Sequence, residues 1–204
     1  MPKFPEPDIS WLAEIGPTLH ALEGDSLWWR IYYAGGSHPS AWNTFRNYGP
    51  VATGRFDHHL PPSAMQARRS FYAGSSIGVC VAEVFQDRRR VHFDGEPRLA
   101  ALTLARPVEV LDLRGLWPTR AGASQAVSSG SRSRSRRWAR AIANTFHVEG
   151  LIYRSSMHSG DDAVVLWDCP DALTESAAFD EPLRDARFAA PLRRLATTLG
   201  YSVA

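Results

Sequence analysis

Apolar positions along the chain change period several times, and each change predicts an element. From Ile9 to Leu22 (ISWLAEIGPTLHAL) they recur at helical spacing, which predicts a short amphipathic helix pair broken near Gly16-Pro17. Leu27 to Tyr33 (LWWRIYY) is aromatic and β-branched, as strands are. A polar loop rich in Gly, Ser, Pro and Asn follows from Ala34 to about Pro50, and a loop that long inside a domain is often functional. Ser70 to Ala73 predicts a strand. Ser75 or Ser76 can then cap a helix running to about Gln86, with Ile77, Cys80, Val81, Val84 and Phe85 as its apolar stripe. Leu99–Ala105 and Val108–Leu113 predict consecutive strands joined by a turn at Arg106-Pro107. The small, polar stretch from Ala121 to Ser131 reads as a loop. Arg136 to Phe146 predicts a helix with Trp138, Ile142 and Phe146 inward. Gly150–Ser155 and Ala163–Trp167 predict strands, and a last helix starts at Pro191 and ends near Gly200. Strands and helices mix without regular alternation, so the class is α+β, and no internal repeat is present.

Composition narrows the class without naming a chemistry. With 204 residues, 44% hydrophobic and 22% charged, the chain suits one globular domain with a sizeable core. Residues 1–8 are proline-rich and lack the apolar segment of a signal peptide, and no apolar run approaches the roughly 20 residues of a membrane span, so the cytoplasm is expected. Cys80 and Cys169 are the only cysteines, which argues against a disulfide framework or a zinc site. The net charge of +2 gives no reason to expect nucleic acid. Its distribution is uneven. Leu113–Val148 holds seven arginines and no acid, whereas Glu149–Asp185 holds nine acids and two arginines, and the simplest expectation is that the two stretches neutralise each other.

Glu83 is the only charged side chain between Arg69 and Asp87. A carboxylate in so apolar a segment is costly unless it is paired or used. A helix beginning near Ser76 puts it about two turns in. Its plain reading is a helix-face glutamate paired with an arginine such as Arg88; its functional reading is a catalytic carboxylate beside a cationic substrate. Arg30 can be an outward residue of an aromatic strand, Arg55 a loop arginine tied to Asp57, Tyr72 a core aromatic, and Ser155 a cap or turn residue. Together, two arginines, an aromatic and a serine are natural companions for a carboxylate that acts on a cationic, phosphate-bearing molecule.

Other features carry less. His58-His59 lacks metal-ligand spacing. Ser128–Arg137 (SSGSRSRSRR) resembles a nucleic-acid tail, but it has no interleaved aromatics and leads straight into an apolar helix, so a solvated loop is expected. Neither the glycine fingerprint of a Rossmann site nor a nucleophile elbow occurs.

The order and spacing of several short motifs resemble the RES domain family, bacterial toxins of toxin–antitoxin pairs. They are Leu27-Trp-Trp-Arg30, Gly54-Arg-Phe-Asp57, Phe71-Tyr-Ala-Gly-Ser-Ser76 with Ala82-Glu83 beyond it, and Glu149-Gly-Leu-Ile-Tyr-Arg-Ser155. Pro107–Leu113 and the Trp138 helix also fit, so the core resemblance spans residues 27–168, with 1–26 as an N-terminal extension of short helices and 27–204 as the domain. Two stretches depart from the family pattern: the long segment between Arg55 and Tyr72, and Ser156-Met157-His158 after Ser155. The resemblance implies a small mixed, split β-sheet flanked by helices, similar to ADP-ribosyltransferase toxins. It implies cleavage of the nicotinamide–ribose bond of NAD+, by water or by inorganic phosphate, with no bound cofactor or metal. Glu83, Arg55 and Tyr72 become the expected catalytic residues, with Arg30, Tyr32, Tyr153 and Ser155 on the substrate. The expected partner is an antitoxin of the Xre helix-turn-helix type, with a possible homodimer in the complex and no membrane or direct nucleic-acid contact. A mono-ADP-ribosyltransferase and an arginine-rich nucleic-acid-binding module remain the alternatives.

Overall fold

The computed structural model describes residues 3–204. Helix α1 (Ile9–Ile15) starts at Asp8, whose side chain accepts from the Trp11 amide, and ends at Gly16 with φ 66°. The rest of the expected helix pair is instead strand β1 (Leu19–Leu22), which zips antiparallel onto β7 (Val108–Asp112). Gly16-Pro17 stops the helix, and the open edge of β7 then offers four residues a complete set of backbone partners. The polar loop after β2 (Trp28–Tyr33) likewise contains a strand the sequence reading leaves out, β3 (Arg46–Gly49). It pairs with β4, which runs the full length of Ala64–Gly74.

The main sheet has the order β1-β7-β8-β9-β4-β2-β6-β10, with β6 at Pro97–Leu102, β8 at Gly150–Arg154, β9 at Asp162–Trp167 and β10 at Phe179–Pro182. Only β7 and β8 are parallel in it. The predicted neighbours β6 and β7 lie in opposite halves of the sheet and share no ladder; they meet across the core, where Leu102 and Leu104 pack in one cluster with Val108 and Val110. A second, two-stranded sheet joins β5 (Arg90–Val91) to β11 (Ser202–Val203).

The two halves touch through one register pair, Trp29 with Gly74. On that same edge of β4, β3 pairs as far as Ser70. Phe71, Tyr72 and Ala73 therefore have β9 on one side and no strand on the other. The sheet is split at this point, and the split receives helix α2 (Ile77–Val84).

Alternation along the central strands feeds two cores. Leu151, Tyr153, Val165 and Trp167 face a layer with Trp117, Trp138 and Ile142 from α3 (Trp117–Arg120) and α5 (Arg132–Thr145). Ile152, Val164 and Leu166 face the other way, toward Trp28 and Phe71. A third cluster places Val81 and Phe85 against Leu192 of α6 (Ala189–Leu199). That helix ends at Gly200 in the left-handed region, φ 69°, as an αL cap requires.

The arginine-serine stretch is not a loop. After the one-turn helix α4 (Ala126–Ser129), helix α5 begins at Arg132, four residues earlier than predicted. The buried face Ser135, Trp138, Ala139, Ile142 runs at helical spacing through the arginines, and the Ser135 hydroxyl donates to the Val127 carbonyl, 2.7 Å away. Nor do the basic and acidic stretches neutralise each other. Arg114 alone reaches across, to Asp162 at 2.7 Å; Arg134 and Arg137 pair with Glu6, and Arg136 donates to backbone carbonyls. Among the described residues no helix is long and apolar enough to cross a membrane.

Candidate active site

The split in the sheet is a cleft of about 230 Å³ whose lining includes Arg55, Tyr72, Glu83 and Tyr153. β4 brings Tyr72 to it and turns into α2 at Gly74, where a Cβ would stand 2.7 Å from Val79 Cγ1 and block the turn. Ser76 caps α2: its hydroxyl accepts from the Val79 amide (3.2 Å) and donates to Asp161 (2.8 Å). Gly78 to Ala82 of α2 are buried, so Glu83 arrives at the cleft on an apolar helix.

Both carboxylate oxygens of Glu83 are held by uncharged donors. Oε1 accepts from the Ser155 hydroxyl at 2.6 Å, and Oε2 from the Gln86 amide at 3.2 Å. Ser155 Oγ in turn accepts from the amides of Met157 (3.1 Å) and His158 (3.0 Å), so its one hydrogen is committed to Glu83. Arg88 does not pair with Glu83. No cation lies within ion-pair distance of this carboxylate among the described residues.

Tyr72 presents its ring to the cleft and its hydroxyl to the protein. The hydroxyl donates to Asp57 (3.1 Å) and accepts from the Phe56 amide (3.0 Å). Burial, reinforced by the Asp57 charge, pushes its pKa well up. Tyr153 is pushed up too, by burial first and then by the Glu83 charge.

The cations fall into three groups. Arg55 lines the cleft and donates to the Gly130 carbonyl (2.6 Å), with no carboxylate in ion-pair range; burial lowers its pKa, and Glu83 partly offsets this. Asp57, its expected partner, belongs to Arg46. That carboxylate is fully buried and is held by the Arg46 guanidinium and the Val51 amide (2.9 Å). Arg46, Gln86 and Arg132 also line the cleft, although the sequence singled out none of them for it. The one hint was the arginine stretch leading without a break into an amphipathic helix, and its reading as a solvated loop misplaced Arg132. Arg30 stands outside the lining. Its guanidinium lies 4.2 Å from the centre of the Phe71 ring, its Nη1 is buried without a partner, and burial brings its pKa down to about 10. Tyr32 is engaged elsewhere: its hydroxyl donates to Asp180 at 2.8–2.9 Å, in a cluster with Arg98. The structure thus gathers Glu83, Ser155, Arg55, Tyr72 and Tyr153 at one place, and leaves Arg30 behind the strand and Tyr32 in a separate ion cluster.

The RES domain matches residues 27–189 of the chain. Among solved structures, the fold is similar to a chain in the crystal structure of the M. tuberculosis MbcT–MbcA toxin–antitoxin complex, with a TM-score of 0.61 and 15% identity over 93% of this chain and 96% of that one. No curated protein matches the sequence.

Proposed function

The chain belongs to the RES domain family, and from that premise we propose that it cleaves the nicotinamide–ribose bond of NAD+ and acts as a growth-inhibiting toxin. One observation carries the reading: a carboxylate with no cation in ion-pair range among the described residues, gripped at both oxygens, faces an apolar cleft that also holds Arg55. The nicotinamide of NAD+ is a pyridinium and leaves as a neutral base, so no general acid is needed. As the bond lengthens, the ribose becomes oxocarbenium-like, as in glycoside cleavage. Glu83 stabilises that developing positive charge; a direct arginine partner would have cancelled it. Tyr72 and Tyr153 wall the ring side, and Arg55 grips a phosphate through a charge-assisted fork. Water or phosphate then bonds to the ribose carbon that nicotinamide has left, giving ADP-ribose and a proton, or the ADP-ribose phosphate. The cleft is smaller than the roughly 300–1,000 Å³ of a site enclosing a whole drug-sized ligand, so in this reading it takes the nicotinamide, its ribose and the adjoining phosphate and leaves the adenosine outside.

The fold neighbour comes from a toxin–antitoxin complex. We extend that arrangement to this chain: an antitoxin partner covers the cleft, and an acidic group of the partner meets Arg55.

Incubating the purified chain with NAD+, with and without phosphate, and measuring nicotinamide release tests the reading. Glu83→Gln is expected to lower turnover about 10²–10³-fold or more while the fold is kept. Turnover at the wild-type rate in a folded Glu83→Gln protein sinks the assignment. Adenylate-labelled NAD+ identifies the acceptor, since label on protein means transfer to a macromolecule.

A further inference from the structure

Glu83 can serve a ribose only if its carboxylate points one way, and a glutamate side chain has three torsions to fix. Ser155 fixes one oxygen. The other depends on Gln86, whose amide nitrogen donates to the Glu83 backbone carbonyl at 2.7 Å and to Glu83 Oε2 at 3.2 Å. Both amide hydrogens are thereby used. A glutamine amide can turn end for end, and only its surroundings choose which end faces the carboxylate. Here the choice is made by Arg132, the first residue of α5, whose Nη2 donates to Gln86 Oε1 at 2.6 Å. An arginine can only donate, so the oxygen must face Arg132 and the nitrogen must face Glu83. Arg132 is placed in turn by Asp87, with 3.8 Å between Nη1 and Oδ1.

We infer that Gln86 and Arg132 are positioning residues for the Glu83 carboxylate: Gln86 sets its orientation, and Arg132 sets the orientation of Gln86. The inference rests on the assignment of Glu83 as the group that stabilises the ribose cation. Inserting a neutral amide between arginine and glutamate aims the carboxylate and leaves its charge uncancelled. A direct Arg132–Glu83 pair would aim it equally well and neutralise it.

NAD+ cleavage by the full chain, carrying Gln86→Met, Arg132→Met, both changes, or Gln86→Glu, tests the chain of contacts. Gln86→Met is expected to lower kcat about tenfold with KM nearly unchanged, because the contact orients a group that acts in the transition state. Arg132→Met lowers kcat less, and adding it to Gln86→Met costs nothing more, since its effect passes through the glutamine. Gln86→Glu puts a second carboxylate beside Glu83 and moves the acid limb of the kcat–pH profile to higher pH. The groups that face Glu83 from the surrounding elements are Cys80, Tyr153, Tyr201 and Arg55, and Asp87 lies beyond Gln86 against Arg132. Cys80 is pushed up to about 12, Tyr153 and Tyr201 are raised, and Arg55 stays charged. His158 and Asp161, on the loop that bears Ser155, face each other at 3.3 Å.

Wild-type kcat in a Gln86→Met protein of native melting temperature overturns the inference. So do additive losses in the double variant, or a rise in KM alone for Arg132→Met, which would make Arg132 a substrate contact. If the wild-type chain releases no nicotinamide, the NAD+ reading fails. The positioning claim is then decided by carbon NMR titration of the Glu83 carboxyl, and an identical curve in Gln86→Glu overturns it. The same titration decides it if Gln86→Met does not fold.

Discussion

Asp57 is fully buried, and three donors that shape the cleft end on it: the Arg46 guanidinium, the Tyr72 hydroxyl and the Val51 amide. Removing its charge leaves Arg46 uncompensated. Asp57→Asn is expected to destabilise the fold by about 3 kcal/mol, the low end for a broken buried pair because Arg46 is partly exposed, and urea unfolding measures it. Tyr72 separates two roles in one side chain. With its hydroxyl committed to Asp57 and Phe56, Tyr72→Phe is expected to lose about 1 kcal/mol of stability and keep kcat within a few-fold, whereas Tyr72→Ala loses the cleft wall and most activity. Equal losses in the two variants would mean that the hydroxyl works on substrate. Glu83 was legible in the sequence because an isolated charge in an apolar run has few explanations. Arg46 was not, because an arginine in a polar loop has no periodic signal, and its partner Asp57, eleven residues on, is shared with Tyr72. Tyr32 and Arg30 share the strand of the resemblance motif, yet strand alternation turns both away from the cleft.

At the scale of elements, α2 is the part on which the site depends most. Its Ser76 cap serves the helix and, through Asp161, the loop that carries Ser155. Ser76→Ala is expected to cost about 1 kcal/mol, as lost caps do, and to lower kcat by loosening both attachments of Glu83. Unchanged kcat with a lowered melting temperature would separate cap from site. Strand β8 has its own requirement at Gly150, with φ 156° and a Cβ position 2.0 Å from the Val165 carbonyl oxygen. Gly150→Ala should therefore cost at least about 2 kcal/mol and disturb the strand that bears Tyr153. Strands of apolar and aromatic residues and capped helices were readable from local pattern. β1 was not, because four residues of ambiguous period took their conformation from a partner almost ninety residues away, and only the folded sheet contains that information. The start of α5 was hidden for a related reason: its arginines look solvated until Ser135 is seen to be buried among them.

At the scale of the molecule, the class α+β and the split in the sheet agree with expectation, while the strand order could not be read from a list of elements. β6 and β7 illustrate why. They are separated by one short turn in the chain, and the apolar core between Leu102 and Val110 holds them apart as facing layers. The cleft draws on β4, α2, the residue 46–55 region, α5 and β8, so its contacts span more than a hundred positions. That long reach has a consequence in time. On the ribosome, β4 and α2 are made early, but Tyr153 and Ser155 follow some seventy residues after Glu83, and the neighbour strand β9 is complete only at residue 167. A growing chain thus carries Glu83 long before it carries the hydroxyl that aims it, and synthesis at roughly 5–20 residues per second turns that separation into a delay of several seconds. Ribosome-held chains ending before β9 are expected to leave NAD+ intact, and chains with the whole sheet clear of the exit tunnel to consume it.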